Sequence, residues 1–80
     1  MRIEIDVSTL YEGQAKLKDL DLYLKKVQEL AGEGNEIVLF GPGPIWLYLK
    51  IAHLLHGKAS RLIYQSPVVK ELVIFDHNPY

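Results

Sequence analysis

The chain has 80 residues and no cysteine. No disulfide can staple it, which suits a reducing compartment. It also lacks a strong net charge, at −1 with the histidines neutral. That argues against a general nucleic-acid binder and against duplex DNA as a partner. Its longest apolar runs fall far short of the roughly 20 residues that cross a bilayer. The start, Met1-Arg2-Ile3-Glu4-Ile5-Asp6, alternates charged with apolar residues, unlike a signal peptide. A cytoplasmic protein with no membrane partner is therefore expected. Internal repeats, linkers and low-complexity segments are missing too, so residues 1–80 read as a single α/β domain. The last shortage is size. A chain this short buries only about 60% of its unfolded surface, so self-association is the expected supplement.

What is present is unevenly spread. Residues 1–36 hold eight acids and five bases, whereas residues 37–80 hold two acids, four bases and all three histidines. A small anionic ligand would meet the second half. There the run Ile37-Val38-Leu39-Phe40 reads as a buried strand, broken by Gly41-Pro42-Gly43-Pro44. Pro44 suits a first helical turn, Gly43 an N-cap, and Gly57 the C′ residue that stops the helix. Strand, glycine-rich turn and helix start together aim free N–H groups at an anion, phosphate being the usual one. An ordinary tight βα turn would use the same residues. The helix is apolar nearly all round, through Ile45, Trp46, Leu47, Leu49, Ile51, Ala52, Leu54 and Leu55. Such a helix is buried on more than one side, and in a small chain the second side points to a subunit interface. His53 and His56 stand at i, i+3, a spacing that can share a metal or acid–base work, or simply suit a helix C-terminus.

Around this centre, Arg2–Val7 alternates as a half-buried strand with Ile3, Ile5 and Val7 inward. Ser8–Gln14 reads as a loop. Its Tyr11 can stack on a base or pack over the domain edge. Ala15–Ala31 reads as an amphipathic helix with Leu17, Leu20, Leu22, Tyr23, Leu24, Val27, Leu30 and Ala31 on the core stripe. Asp19 or Asp21 would be the N-cap if the helix starts later. Arg61–Gln65 reads as a strand parallel to the second, Ser66–Lys70 as a turn, Glu71–Asp76 as an antiparallel strand, and residues 77–80 as a tail. The order is β-α-β-α-β-β, a minimal Rossmann-like α/β fold in two or three layers, with a parallel βαβ core and a C-terminal hairpin. Ligands of open α/β sheets bind beyond the carboxyl ends of the parallel strands. That edge collects Gly41, Gly43, Pro44, Ile45, Trp46, Gln65 and Ser66, with Lys50 further along the helix. His56 belongs to the helix's other end, roughly 15–20 Å away. One chain cannot wrap both around one small ligand; a second subunit could.

Two motifs carry a resemblance. Gly41-Pro42-Gly43-Pro44-Ile45-Trp46-Leu47 follows a strand, and Ala52-His53-Leu54-Leu55-His56 follows it. The last strand then ends in Val73-Ile74-Phe75-Asp76-His77. Over Ile37 to His77 the chain resembles the third family of CRISPR ring nucleases, small proteins of type III CRISPR defence. The resemblance implies binding of cyclic tetra-adenylate and cleavage of its phosphodiester ring. It implies homodimers, two of which sandwich the ring as a tetramer, and a divalent metal such as Mn²⁺ as cofactor; a filament goes with an alternative that only sequesters the ring. It places His56 and His77 on histidines of the family's active region, as candidate base and acid, with His53 nearby; the metal-ligand pair His53 and His56 rests on their spacing. The family's Asp-Pro-Arg after the third strand is here Gln65-Ser66-Pro67, and Pro42 replaces an arginine between the glycines. Arg61, Lys50 and Lys70 are the nearest cations. A non-catalytic binder that sequesters the ring is the alternative expectation, and a purely structural dimerisation domain is a third.

Overall fold

The computed structural model describes residues 1–77; residues 78–80, the rest of the expected tail, lie outside them. The elements are β1 (Arg2–Asp6), α1 (Leu20–Ala31), β2 (Glu36–Phe40), α2 (Ile45–Leu55), β3 (Arg61–Ser66) and β4 (Lys70–Asp76). They form a four-stranded sheet in the order β1-β2-β3-β4. β1 and β2 pair in parallel, as do β2 and β3, and β4 closes an antiparallel hairpin on β3. Because the parallel strands follow one another in sheet order, right-handed crossovers lay both helices on the same face. The core is accordingly one cluster. Ile5, Ile37, Leu39 and Leu62 point from the sheet into Tyr23, Val27 and Ala31 of α1 and Leu47, Ile51 and Leu55 of α2. The domain has two layers.

Local chemistry moved several boundaries. Residues 8–14 are not all loop, because Val7–Leu10 forms a 3₁₀ turn that sinks Val7 and Leu10 into the core. The Asp6 carboxylate caps this turn by accepting from the Ser8 amide at 3.0 Å. The first helix starts late, at Leu20, after a 3₁₀ turn over Leu17–Asp19, so Asp19 occupies the N-cap position. Its inward stripe is correspondingly narrow. Leu17, Leu22 and Leu30, expected in the core, are all more than half exposed. Pro44, with φ −68° and ψ 149°, is itself the N-cap of α2, one place later than Gly43. Gly57 does not take the left-handed conformation of a C′ glycine, since the positive-φ glycines are Gly13, Gly32, Gly34 and Gly41. A tight turn closes α2 instead, with the amides of Lys58 and Ala59 both donating to the Leu55 carbonyl, at 3.0 and 2.8 Å.

No helix covers the other face of the sheet, yet Val38 and Ile63 on it are 0% and 2% exposed. A belt of ion pairs runs beside them. Arg2 meets Glu36 at 3.3 Å and reaches across the sheet to Glu71 of β4, and Arg61 meets Glu36 at 3.2 Å and Asp76 at 3.6 Å. The stems of these long side chains shield apolar surface while their charged ends stay in water. Among the described residues no helix is long and apolar enough to cross a membrane.

Candidate functional site

The carboxyl edge of the parallel strands is built by close backbone approach. β2 is followed by Gly41, whose φ of 93° suits only glycine, and a Cβ there would run into the Asp6 carboxylate. That carboxylate is fixed by the Ser8 amide and by the Ser8 hydroxyl at 2.7 Å. A Cβ on Gly43 would lie 2.8 Å from Val7 Cγ1, so the second glycine lets the turn pack against the core. Three tyrosines brace the turn. Tyr48 donates its hydroxyl proton to the Gly41 carbonyl and sets its ring edge-on to Tyr64 at 5.5 Å. Tyr11 donates to the Pro42 carbonyl at 3.2 Å and leans on Tyr23, so it packs over the domain edge. Burial, with the charges of Tyr64 and Asp6 second, pushes the Tyr48 hydroxyl up to about 12.

Beyond this edge lies an open cleft of about 870 Å³, lined by Phe40, Gly41, Pro42, Tyr64, Gln65, Ser66, Pro67, Lys70 and Glu71. Glu71 is turned to account elsewhere: its carboxylate holds Arg2, whose pKa it raises above the ordinary value, chiefly through that hydrogen bond. Next to the cleft a groove of about 440 Å³ runs between α2 and the hairpin. Ile45, Leu49, Ala52, Leu62, Tyr64 and Ile74 line it, and no charged residue does.

The opposite edge holds the histidines. β4 runs back along β3, so its end meets the start of β3, which directly follows α2. The His77 amide donates to the Ser60 carbonyl at 2.8 Å. The result is a cluster of three rings at the foot of α2: His56 to His77 at 4.6 Å, Phe75 to His77 at 4.7 Å and His56 to Phe75 at 5.3 Å between centroids. Both histidines are exposed. Asp76, next to His77 in sequence, points instead to Arg61.

The expected site residues therefore divide. Gly41, Gln65 and Ser66 line the cleft. Gly43 and Ile45 line the apolar groove. Pro44 caps α2, Trp46 packs partly buried against the core, and Lys50 is exposed on α2 and lines neither cavity. His53 is exposed one turn before His56. No group of three or more His, Cys, Asp or Glu side chains that could hold a metal occurs among the described residues. Sequence reasoning named Lys70 only as one of three nearest cations, without placing it, and passed over Tyr64 as a cleft residue. The usable signal was the hairpin, which returns the chain to the edge where Gly41 stands.

Fold and site together define a small open-sheet α/β domain with a cleft beyond the carboxyl ends of the parallel strands, the edge at which such sheets take ligands. Residues 10–80 match the model of the family described as CRISPR-associated protein (Cas_csx3). The match takes in nearly the whole chain, and the chain belongs to this family. It is thus a CRISPR-associated protein. No curated protein and no solved structure matches it.

Proposed function

We propose that this protein binds cyclic tetra-adenylate, the messenger of type III CRISPR defence, and opens its phosphodiester ring to end the signal. Membership of a CRISPR-associated family supports the setting. The observation that carries the chemistry is the meeting of His56 and His77, 4.6 Å apart between ring centroids at an exposed edge. Opening an RNA ring needs a base and an acid. One imidazole removes the proton of a ribose 2′-hydroxyl, whose oxygen attacks the adjacent phosphorus. The P–O5′ bond breaks, and the other imidazole, protonated, supplies the proton to O5′. Imidazole serves both roles because its ordinary titration range lies near neutrality.

The ring would be shared between copies. The cleft and the histidines sit at opposite ends of α2, whose 11 residues span about 16 Å. A cleft of about 870 Å³ is of the size that holds a drug-like molecule, and four linked nucleotides exceed it. One protomer's cleft then holds part of the ring, and a neighbour's histidines reach the scissile bond, so a homodimer stacking into a tetramer or filament is the working form. The apolar groove gives the dimer its contact. Ile45 is 78% and Leu49 65% exposed on one side of α2, and Leu72 and Ile74 are about half exposed on β4. A second copy with the same uncharged surface is the natural cover in a chain this small.

A metal would have to be completed from elsewhere. His53, His56 and His77 offer imidazoles only, and Asp76 is turned to Arg61. Mn²⁺ prefers oxygen-rich shells, so this donor set does not suit it alone. The steps above run on the imidazoles.

The cleft favours one second reading. Gln65, Ser66 and Pro67 carry no charge, so a protein that sequesters the ring without opening it fits the same surface. Incubation with labelled cyclic tetra-adenylate, with and without Mn²⁺, separates the two. Linear products support the nuclease, and retention of intact ring supports the sequestering protein. A chain that neither binds nor cuts the ring is left with the structural role.

A further inference from the structure

We infer that Lys70 is the anion contact of the cleft, held there by a hairpin that spends conformational energy to place it. This rests on the reading of the cleft as the ligand site. The turn from β3 to β4 is well specified. The Ser66 hydroxyl accepts from the amides of Val68 and Val69, at 3.3 and 3.1 Å. Pro67 follows Ser66 at the place where proline favours the turn. Ser66 and Lys70 are register partners across the hairpin. The turn leaves a left-handed residue where the return strand begins, and glycine is the ordinary occupant of that conformation. Here it is Lys70, at φ 63°, the single non-glycine residue with positive φ among those described.

A branched-free but bulky side chain in that region raises the energy of the fold, and such outliers gather where function holds them. The surroundings say what the function is. Lys70 lines the cleft with Gln65 and Ser66, opposite Gly41 and Pro42. Of the other cations in this half of the chain, Lys58 is paired to Glu33, Arg61 to Glu36 and Asp76, and Lys50 lies on the outside of α2. Lys70 makes no ion pair among the described residues. The one carboxylate in the cleft, Glu71, is held by Arg2. The cleft thus keeps one free positive charge beside a hydroxyl and an amide. That set suits a phosphate oxygen, with an ammonium acting as a point charge.

Two probes test it: inorganic pyrophosphate, followed by backbone amide shifts, and cyclic tetra-adenylate, followed by retention. Pyrophosphate should shift the amides of Gln65 to Glu71. Lys70→Gly should weaken that response about five- to tenfold, while raising the melting temperature by about 4 °C as the strained backbone relaxes. Lys70→Arg should keep both the response and the wild-type melting temperature. A hairpin lysine with no role in binding predicts the same stabilisation by glycine but no loss of response. Wild-type protein that shows no shift at residues 65–71, or Lys70→Gly protein that responds as wild type does, overturns the inference. Pyrophosphate binding lost in Lys70→Gly, in a protein that ignores cyclic tetra-adenylate, instead upholds Lys70 and overturns the proposed ligand.

Discussion

The two ends of the sheet do different work. At the carboxyl edge the backbone is crowded and braced: Gly41 lies against Asp6, Tyr48 against Gly41, and Tyr11 against Pro42. That edge is shaped to hold something, but among the described residues it carries no histidine. At the opposite edge His56 and His77 meet each other and Phe75 on an exposed surface. That edge carries the imidazoles to which the proposed function assigns the acid and base. On the proposed function, grip and chemistry lie a helix apart in one protomer and a second copy joins them. The uncharged groove beside α2 is, on the same reading, where the copies meet.

The largest effect should follow removal of either imidazole. His56→Ala or His77→Ala should slow ring opening about 10²- to 10⁴-fold, the usual contribution of a positioned acid or base. Retention of the ring and the melting temperature should both stay near wild type, because both side chains are exposed. Mixing His56→Ala with Lys70→Gly protein sharpens the comparison. If grip and chemistry come from different copies, the mixture at low ring concentration turns over faster than the two variants added together. A mixture no faster than its parts would confine the reaction to one protomer.

Gly41→Ala attacks the other end. The added Cβ must displace the Asp6 carboxylate at a backbone angle that L-residues avoid. A loss of about 2–4 kcal/mol is expected, seen as a melting temperature lower by more than 10 °C. Turnover per folded molecule should fall through weaker ring binding, with the histidine edge unaffected. A Gly41→Ala protein as stable as wild type would mean that the turn is not braced as described.

Leu49→Glu tests the joint between the two. Leu49 is 65% exposed in the protomer, so its replacement should leave the protomer's stability within about 0.5 kcal/mol. In the assembled form it would bury a carboxylate in an uncharged groove, and the dissociation constant of the dimer should rise by tenfold or more. Sedimentation across a concentration series gives the answer. Unchanged assembly would move the interface away from α2.

Much of this was legible in the residues. Alternation in β1, the strand–glycine–helix unit and the Ser-Pro turn fixed the element order, and the spacing of Gly41 and His56 along α2 already separated the two edges. What was not legible depends on tertiary choice. The α1 sequence has more leucines than its face can bury, and only packing decides that Tyr23, Val27 and Ala31 go in while Leu17, Leu22 and Leu30 stay out. Pro44 takes the cap that Gly43 also offered, and the tight turn on the Leu55 carbonyl takes the place of a Gly57 stop. Lys70 was named with Arg61 and Lys50 as a nearest cation, but only the hairpin register and the cleft beside it choose among the three.

Tyr48 gives the smallest effect and the most direct reading of how closed the carboxyl edge is. Its hydroxyl is pushed up to about 12, chiefly by burial. An unfolded tyrosine titrates near 10. The fold therefore favours the neutral phenol, and this contribution is fully present below about pH 10. Above that the unfolded chain gains tyrosinate before the native state does, so stability falls as pH rises from about 10 to 12. Because the side chain is only partly buried, solvent screening reduces the effect to about 1–2 kcal/mol. Tyr48→Phe removes the hydroxyl that ionises and, with it, the proton given to the Gly41 carbonyl. Its stability at neutral pH should drop by about 1 kcal/mol while the alkaline fall becomes shallower. Denaturant melts at pH 8 and pH 11 measure both. Equal slopes in the two proteins would show that water reaches Tyr48 freely, and that the edge is more open than its hydrogen bonds imply.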